Sequence, residues 1–279
     1  MTYRLGVYEK TLRTDLAWPS RFALAARSGY DFVELAIDES AERIARLDWS
    51  SSHRHTVRYA AEEVGVSIDT VTLSAHRTTP LGSADADTRE HARQLTTRAV
   101  RLAADLGANC VQIAGYFTYY EPHHPQARAL FLEGLASAAE QASTEGVTLA
   151  VENVDGHDVT SVDDGIDIIT AIGSPAIKLY IDVGNLAGNK LDVPDELRRG
   201  LPYAHAVQFK DATPGVFRRV AFGAGTVPWA DVVRVLTKFS YGGPISLEMW
   251  NDDQDEELAS SAARWFRGLL GNAESLRHH

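Results

Sequence analysis

Four polar side chains close apolar runs in the second half of the chain. VTLAVENV carries Glu152, IKLYIDVGN carries Asp182, HAVQFKD carries Gln208 and ISLEMW carries Glu248. If these runs are neighbouring strands ending on one rim, three carboxylates and an amide share a pocket. Carboxylates gathered in this way repel one another, and without a cation at least one must keep a proton. A divalent ion removes the conflict, and three carboxylates with an amide oxygen suit a hard ion such as Mn²⁺ or Mg²⁺. The plainer alternative makes each acid a strand-end residue held by backbone or by an arginine.

The elements that must position these residues follow from a slow alternation along the chain. Short apolar or β-branched runs occupy residues 3–8, 31–37, 66–73, 109–114, 147–151, 177–181, 205–210 and 244–249. Between them lie segments with helical spacing, clearest at 87–107, where Leu95, Ala99, Leu102, Ala103 and Leu106 recur at three and four residues and Gly107 stands where a C-cap belongs. Residues 128–145, 229–239 and 256–270 read as further helices. Eight such units in one chain of this length predict an α/β fold, a single (β/α)₈ TIM barrel spanning residues 1–279, whose active site lies at the C-terminal ends of the strands. An open doubly wound sheet is the competitor, but it calls for a glycine-rich turn after the first strand; here that strand runs into Tyr8-Glu9-Lys10.

Other residues at expected strand ends extend the candidate site. Glu9 and Lys10 follow the first run, and Glu34, in the second, faces the mouth or pairs with a neighbour. His76, closing TVTLSAH, is placed for substrate contact, and Asn185 and Lys210 lie just beyond Asp182 and Gln208. The loop KDATPGVFRRVAFGAGT holds Lys210, Arg218, Arg219, Gly223 and Gly225; barrels of this kind bind phosphate after their last strands through backbone N–H groups that glycine leaves open. His205 falls on the opposite strand face from Gln208 and is structural. His123-His124, between prolines, reads as a loop, and His278 and His279 as a tail.

Composition narrows the partners. The 279 residues carry 27 Lys and Arg against 38 Asp and Glu, a formal charge of −11. That argues against nucleic acid as the main ligand, since a phosphate backbone calls for a basic face, but it leaves room for a small phosphorylated molecule in a local cationic pocket. The single cysteine, Cys110, allows no intramolecular disulfide, in keeping with a reducing cytoplasm. MTYRLGVYEK has no apolar run, so no signal peptide is expected, and no membrane span is expected either.

LGVYEK at 5–10, LSAHRTTPLGS at 73–83, QIAGYFTYYE at 112–121, DVGNL at 182–186, KDATPGVF at 210–217, FGAGTV at 222–227 and LEMW at 247–250 together make the chain resemble the L-ribulose-5-phosphate 3-epimerases (L-xylulose-5-phosphate 3-epimerases) of the xylose-isomerase-like barrels. The resemblance implies a metal-dependent isomerase that inverts C3 of a ketopentose 5-phosphate. In the family the ligands are Glu, Asp, His and Glu from strands five to eight, which here match Glu152, Asp182 and Glu248, with Gln208 in place of the histidine. An amide oxygen binds softer metals less well than an imidazole nitrogen.

Epimerisation beside a ketone removes the C3 proton and returns it to the other face. The implied scheme has Glu152 and Glu248 as base and acid and also as metal ligands, with Asp182 and Gln208 as ligands only. His76, Asn185 and Lys210 are expected to contact the substrate, and Lys210, Arg218, Gly223 and Gly225 its phosphate. Mn²⁺ is the first expectation for the ion, with Mg²⁺, Co²⁺ and Zn²⁺ as alternatives. Two other readings stay open: an isomerase or epimerase of an unphosphorylated ketose or keto-polyol, and a non-catalytic sugar-binding barrel weakened by Gln208. Trp265-Phe266 is either a homodimer surface or the packing face of the last helix.

Overall fold

The protein is described by a computed structural model over residues 3–275; His278 and His279 lie outside the described residues. The described residues include ten strands: β1 (Arg4–Tyr8), β2 (Phe32–Ile37), β3 (Ser67–Leu73), β4 (Cys110–Ala114), β5 (Thr148–Glu152), β6 (Ile177–Asp182), β7 (Ala204–Phe209), β8 (Asp211–Thr213), β9 (Val216–Val220) and β10 (Pro244–Leu247). Eight of them close into a barrel in the order β1-β10-β7-β6-β5-β4-β3-β2, all neighbours parallel. β8 and β9 form a separate antiparallel pair. The expected (β/α)₈ barrel is therefore the fold observed. The short pair sits inside the long loop that the sequence left without structure.

Strand alternation decides what each face holds. Outward residues, among them Val33, Leu35, Val71, Val111, Ile113, Leu149, Ile181, Val207 and Phe209, are buried in the main apolar core. The helices cover that face: α1 (Trp18–Ser28), α3 (Ser51–Glu62), α4 (Ala86–Leu106), α5 (Ala127–Glu145), α6 (Val162–Ile172), α8 (Val193–Gly200), α9 (Trp229–Lys238) and α10 (Leu258–Ser275) touch in sequence and close a ring, α10 against α1. Two short helices, α2 (Ala41–Ile44) and α7 (Val183–Gly188), decorate the mouth. Gly107 caps α4 in the left-handed region, as its position in the sequence predicts.

Inward residues form layers. Cys110, Ala150, Tyr180 and Ala206 make a small buried cluster across the barrel interior. Two residues further along the same strands, on the same face, come Gln112, Glu152, Asp182 and Gln208, the last two in register. Glu34 belongs to the deeper layer. It is fully buried, neither at the mouth nor in a salt bridge, and accepts a hydrogen bond from the Tyr180 hydroxyl. Burial pushes its carboxyl up to about 7.

The last helix packs inward. Phe266 is buried against Phe209, and the Trp265 ring stacks on Phe222 at 4.4 Å. The pair is thus the packing face of α10 and not an exposed surface.

Candidate active site at the C-terminal mouth

A cavity of about 450 Å³ opens at the C-terminal ends of the strands, within the size range of small-molecule sites. Glu152, Asn185, Gln208, Lys210, Arg218 and Glu248 all line it. Asp182 lies directly beneath and is fully buried. The strands end where the chemistry begins: Glu152 is the last residue of β5 and Asp182 the last of β6. Lys210 and Glu248 stand one residue past β7 and β10, so those two runs end earlier than the sequence suggested.

Short-range hydrogen bonds lock this arrangement. The Asn153 side chain donates to the Asp182 carbonyl and accepts the Asp182 N–H, both at 2.9 Å, tying β5 to β6. Asp182 Oδ1 caps α7 by accepting the Asn185 N–H at 2.9 Å. Asn185 in turn donates to Glu152 Oε1 at 3.3 Å and accepts from Lys210 Nζ at 2.9 Å. Gly184 makes this close approach feasible: a Cβ there would sit 2.4 Å from the Lys210 carbonyl oxygen.

Lys210 is the electrostatic centre. Its ammonium lies 2.7 Å from Asp182 Oδ2 and 3.3 Å from Glu248 Oε2, and neither oxygen has a well-aligned hydrogen bond. Burial and the mutual repulsion of the acids push the Glu152 and Asp182 carboxyls upward, and Lys210 opposes that shift. The three carboxylates hold the Lys210 ammonium protonated, its pKa raised despite burial. Gln208 Oε1 accepts from the Gln112 amide at 3.3 Å, which leaves Gln112 Oε1 buried without a partner.

Whether these donors fit a divalent ion can be judged from their chemistry and their unsatisfied atoms. Glu152, Asp182, Gln208 and Glu248 supply hard oxygen donors on one mouth, and two of the carboxylate oxygens are buried and unsatisfied. The donor set fits. Asp182 and Glu248 turn oxygens toward Lys210, whereas Glu152 Oε1 faces Asn185 and Gln208 Oε1 faces Gln112, so an ion has to displace the ammonium from Asp182 and Glu248.

Three residues expected to touch substrate are placed elsewhere. His76 is buried outside the cavity, with Nε2 3.0 Å from Thr96 Oγ1 on α4, and burial lowers it to about 4. Its neighbour Arg77 lines the cavity instead, over the Tyr116 and Tyr119 rings. Gly223 and Gly225 do not offer their N–H groups to a ligand: both donate to Asp211 Oδ2, at 2.7 and 3.1 Å. Asp211 also accepts the Trp229 indole N–H at 3.1 Å, and a Cβ on Gly225 would meet Asp211 Oδ1 at 2.1 Å. The glycines therefore serve a buried carboxylate. Replacing Asp211 by Ala is expected to cost about 3 kcal/mol, because several buried donors lose a charged acceptor at once. Urea unfolding reads this directly, and an unchanged midpoint would contradict it.

Other cavity residues carried a weaker signal in the sequence. Lys10 lines the mouth and pairs with Asp38 at 2.6 Å. Asp155 accepts from the Tyr116 hydroxyl and faces Arg218 at 3.6 Å. Arg43, Arg219 and Trp250 also line the wall. Glu9, beside Lys10, is instead buried beneath Arg43 and Arg46. His205 does not line the cavity, and His124 bonds the Gly82 carbonyl at 2.7 Å.

A parallel barrel with a carboxylate-rich mouth defines the general class, and comparison with known proteins makes it specific. The family described as xylose isomerase-like TIM barrel matches residues 22–269. SgbU of Escherichia coli (strain K12), whose own assignment as an L-ribulose-5-phosphate 3-epimerase is provisional, is 42% identical over 279 residues, covering 97% of this chain and 98% of that protein. The L-ribulose-5-phosphate 3-epimerase UlaE of Escherichia coli O157:H7 (strain EC4115 / EHEC) is 37% identical, covering 96% and 95%. Among solved structures, an L-ribulose 3-epimerase superposes with a TM-score of 0.81 at 19% identity, covering 99% of this chain and 96% of that one. The chain belongs to the L-ribulose-5-phosphate 3-epimerase family of xylose isomerase-like TIM barrels. It is an isomerase-class enzyme. Among the described residues, no helix is long and apolar enough to cross a membrane.

Proposed function

We propose that the protein inverts C3 of a ketopentose 5-phosphate, interconverting L-ribulose 5-phosphate and L-xylulose 5-phosphate. The observation that carries this reading is the arrangement of Glu152 and Glu248: two largely buried glutamates on β5 and after β10, three strands apart around the barrel, facing one cavity. Carboxylates so placed can address opposite faces of a sugar lying between them. One takes the C3 proton and the other returns a proton to the far side. Lys210 and Asn185, beneath them, supply an ammonium and an amide for the oxygens where charge develops. Asp182 fixes Lys210 from below.

Glu152, Asp182, Gln208 and Glu248 would hold the divalent ion, with Mn²⁺ expected first and Mg²⁺, Co²⁺ or Zn²⁺ as alternatives. When bound, it supplies Lewis-acid stabilisation of the enediolate. Lys10, Arg43, Arg77, Arg218 and Arg219 form a basic wall of the mouth, each beside an acidic partner: Asp38 for the first two, then Glu39, Asp155 and Asp252. That wall supports an anionic tail on the substrate, with Lys210 and Arg218 as candidate phosphate contacts. We place the enzyme in the cytoplasm and leave a homodimer as an expectation without a surface assigned to it.

One observation favours the second reading, an unphosphorylated ketose or keto-polyol: Gly223 and Gly225 have no free N–H for a phosphate. A matched pair of substrates, L-ribulose with and without the 5-phosphate, decides between them. The phosphate ester is expected to be preferred by about 10²-fold or more in kcat/KM, a preference reduced by Arg218→Ala, as charge-assisted contacts of this kind imply. Equal or better turnover of the free sugar would overturn the phosphate assignment.

A further inference from the structure

At the rim of the mouth, outside the catalytic set, two loops meet through three ligating side chains. His123 lies in the loop between β4 and α5; His157 and Asp158 lie in the loop between β5 and α6. His123 Nε2 is 3.3 Å from His157 Nδ1 and 3.0 Å from Asp158 Oδ1, and His157 Nδ1 is 3.1 Å from Asp158 Oδ2. Among the described residues this is the one group of three His, Cys, Asp or Glu side chains whose ligating atoms all lie within 4.8 Å of one another.

These separations can be compared with what a cation requires. Donors about 2.0–2.1 Å from a metal are about 3.3 Å apart along a tetrahedral edge and about 3.0 Å apart along an octahedral one. The three observed spacings are of this size, the two histidines meeting different oxygens of the Asp158 carboxylate, Oδ1 and Oδ2. The side chains therefore bring two imidazole nitrogens and a carboxylate within reach of one ion. The carboxylate is also held as a ligand is held. Its side chain is only 2% exposed, and Oδ2 accepts the Phe117 N–H at 2.8 Å, an outer contact that fixes its orientation. The Asp158 backbone adopts the left-handed region, φ +75°, uncommon for a residue other than glycine. The two imidazoles are half exposed and cross at 85° with their nitrogens converging. The three groups already lie within hydrogen-bonding distance of one another, so a cation can be taken up with little movement of the donors.

We propose that His123, His157 and Asp158 form a second metal site, separate from the catalytic mouth, that takes a divalent transition ion favoured by imidazole, such as Zn²⁺, Co²⁺ or Ni²⁺. Two nitrogens and one oxygen select against Mg²⁺ and Ca²⁺, which prefer all-oxygen shells. The ion clamps the β4–α5 loop to the β5–α6 loop. Asp155, two residues before His157, is bonded by Tyr116 and faces Arg218, so the clamp also fixes one wall of the cavity.

The test is retention of Zn²⁺ by the full-length protein after stripping with chelator and equilibrium dialysis at low-micromolar Zn²⁺. Three proteins are compared: the wild type, the double variant His123→Ala/His157→Ala, and the double variant Glu152→Gln/Glu248→Gln. Both histidines are about half exposed, so the first variant is expected to fold, which circular dichroism checks. The wild type should retain one equivalent more than His123→Ala/His157→Ala. Glu152→Gln/Glu248→Gln should keep that equivalent, and Co²⁺ in its place should give visible bands that vanish only when the histidines are changed. Equal retention by the wild type and a folded His123→Ala/His157→Ala overturns the proposal, as does loss of all Zn²⁺ from the Glu152→Gln/Glu248→Gln protein.

Discussion

Replacing either Glu152 or Glu248 by Gln is expected to lower kcat by about 10³-fold, within the range for loss of a general acid or base. Each change keeps the side chain's size and removes its ability to take a proton. The two variants should not fail alike. If each glutamate serves one face of the sugar, one variant loses solvent deuterium exchange at C3 starting from one epimer and retains it from the other, and its partner shows the reverse. Mass spectrometry of the recovered sugar distinguishes the two directions. Both glutamates are also candidate metal ligands, so binding of Mn²⁺ has to be followed in parallel, by thermal shift. Normal exchange at C3 in both variants would remove the two-carboxylate scheme while leaving family membership untouched.

Lys210→Met should produce the largest loss of stability. Its ammonium is the one cation in contact with Asp182 and Glu248 among the described residues, and Asp182 is fully buried. Removing one member of a buried ionic group leaves the others uncompensated, at a cost of about 3–5 kcal/mol. The sign with pH follows from the carboxyls. Those of Glu152 and Asp182 are already shifted upward, and without Lys210 they rise further. A carboxyl whose folded value exceeds its unfolded value weakens the fold increasingly as pH climbs above about 4. The metal-free variant should therefore lose more stability than the wild type between mildly acidic and neutral pH, as read by urea unfolding at several pH values. Added Mn²⁺ should restore more to the variant than to the wild type, because the ion then faces no competing ammonium. Equal stability of variant and wild type at neutral pH without metal would show that Lys210 does not hold the acids together.

The sequence carried the strands, the ring of helices and the side chains of the mouth, because those rest on periodicity. Alternation assigns a side chain to the inner or outer face, and so Glu152, Asp182, Gln208 and Glu248 were readable together. What alternation does not give is depth. Glu34 shares the inward face but lies a layer lower, on Tyr180, because its height is set by strand stagger, including a register shift beside it in β2. His76 was misplaced for a related reason: the short helical turn after β3 rotates it toward α4 and turns Arg77 to the cavity. Gly223 and Gly225 show a third limit. Glycine N–H groups in a loop bind whatever acceptor is nearest, and here that acceptor is intramolecular. Asp211 follows Lys210 directly, and the opposite directions of adjacent side chains were the available sign that it would point away from the mouth.

The excursion of the chain between β7 and α9 has a consequence for re-engineering. Asp211, directly after Lys210, ties Gly223, Gly225 and Trp229 at the far end of the excursion back to its beginning, with Arg218 and Arg219 on the β8–β9 hairpin between them. Residues 210–229 are therefore expected to be exchangeable between homologous barrels as a cassette. A graft that keeps the aspartate, the two glycines and the tryptophan should transplant the basic side chains of the hairpin as a unit, whereas piecemeal swaps within the segment would uncouple the anchor from its cargo.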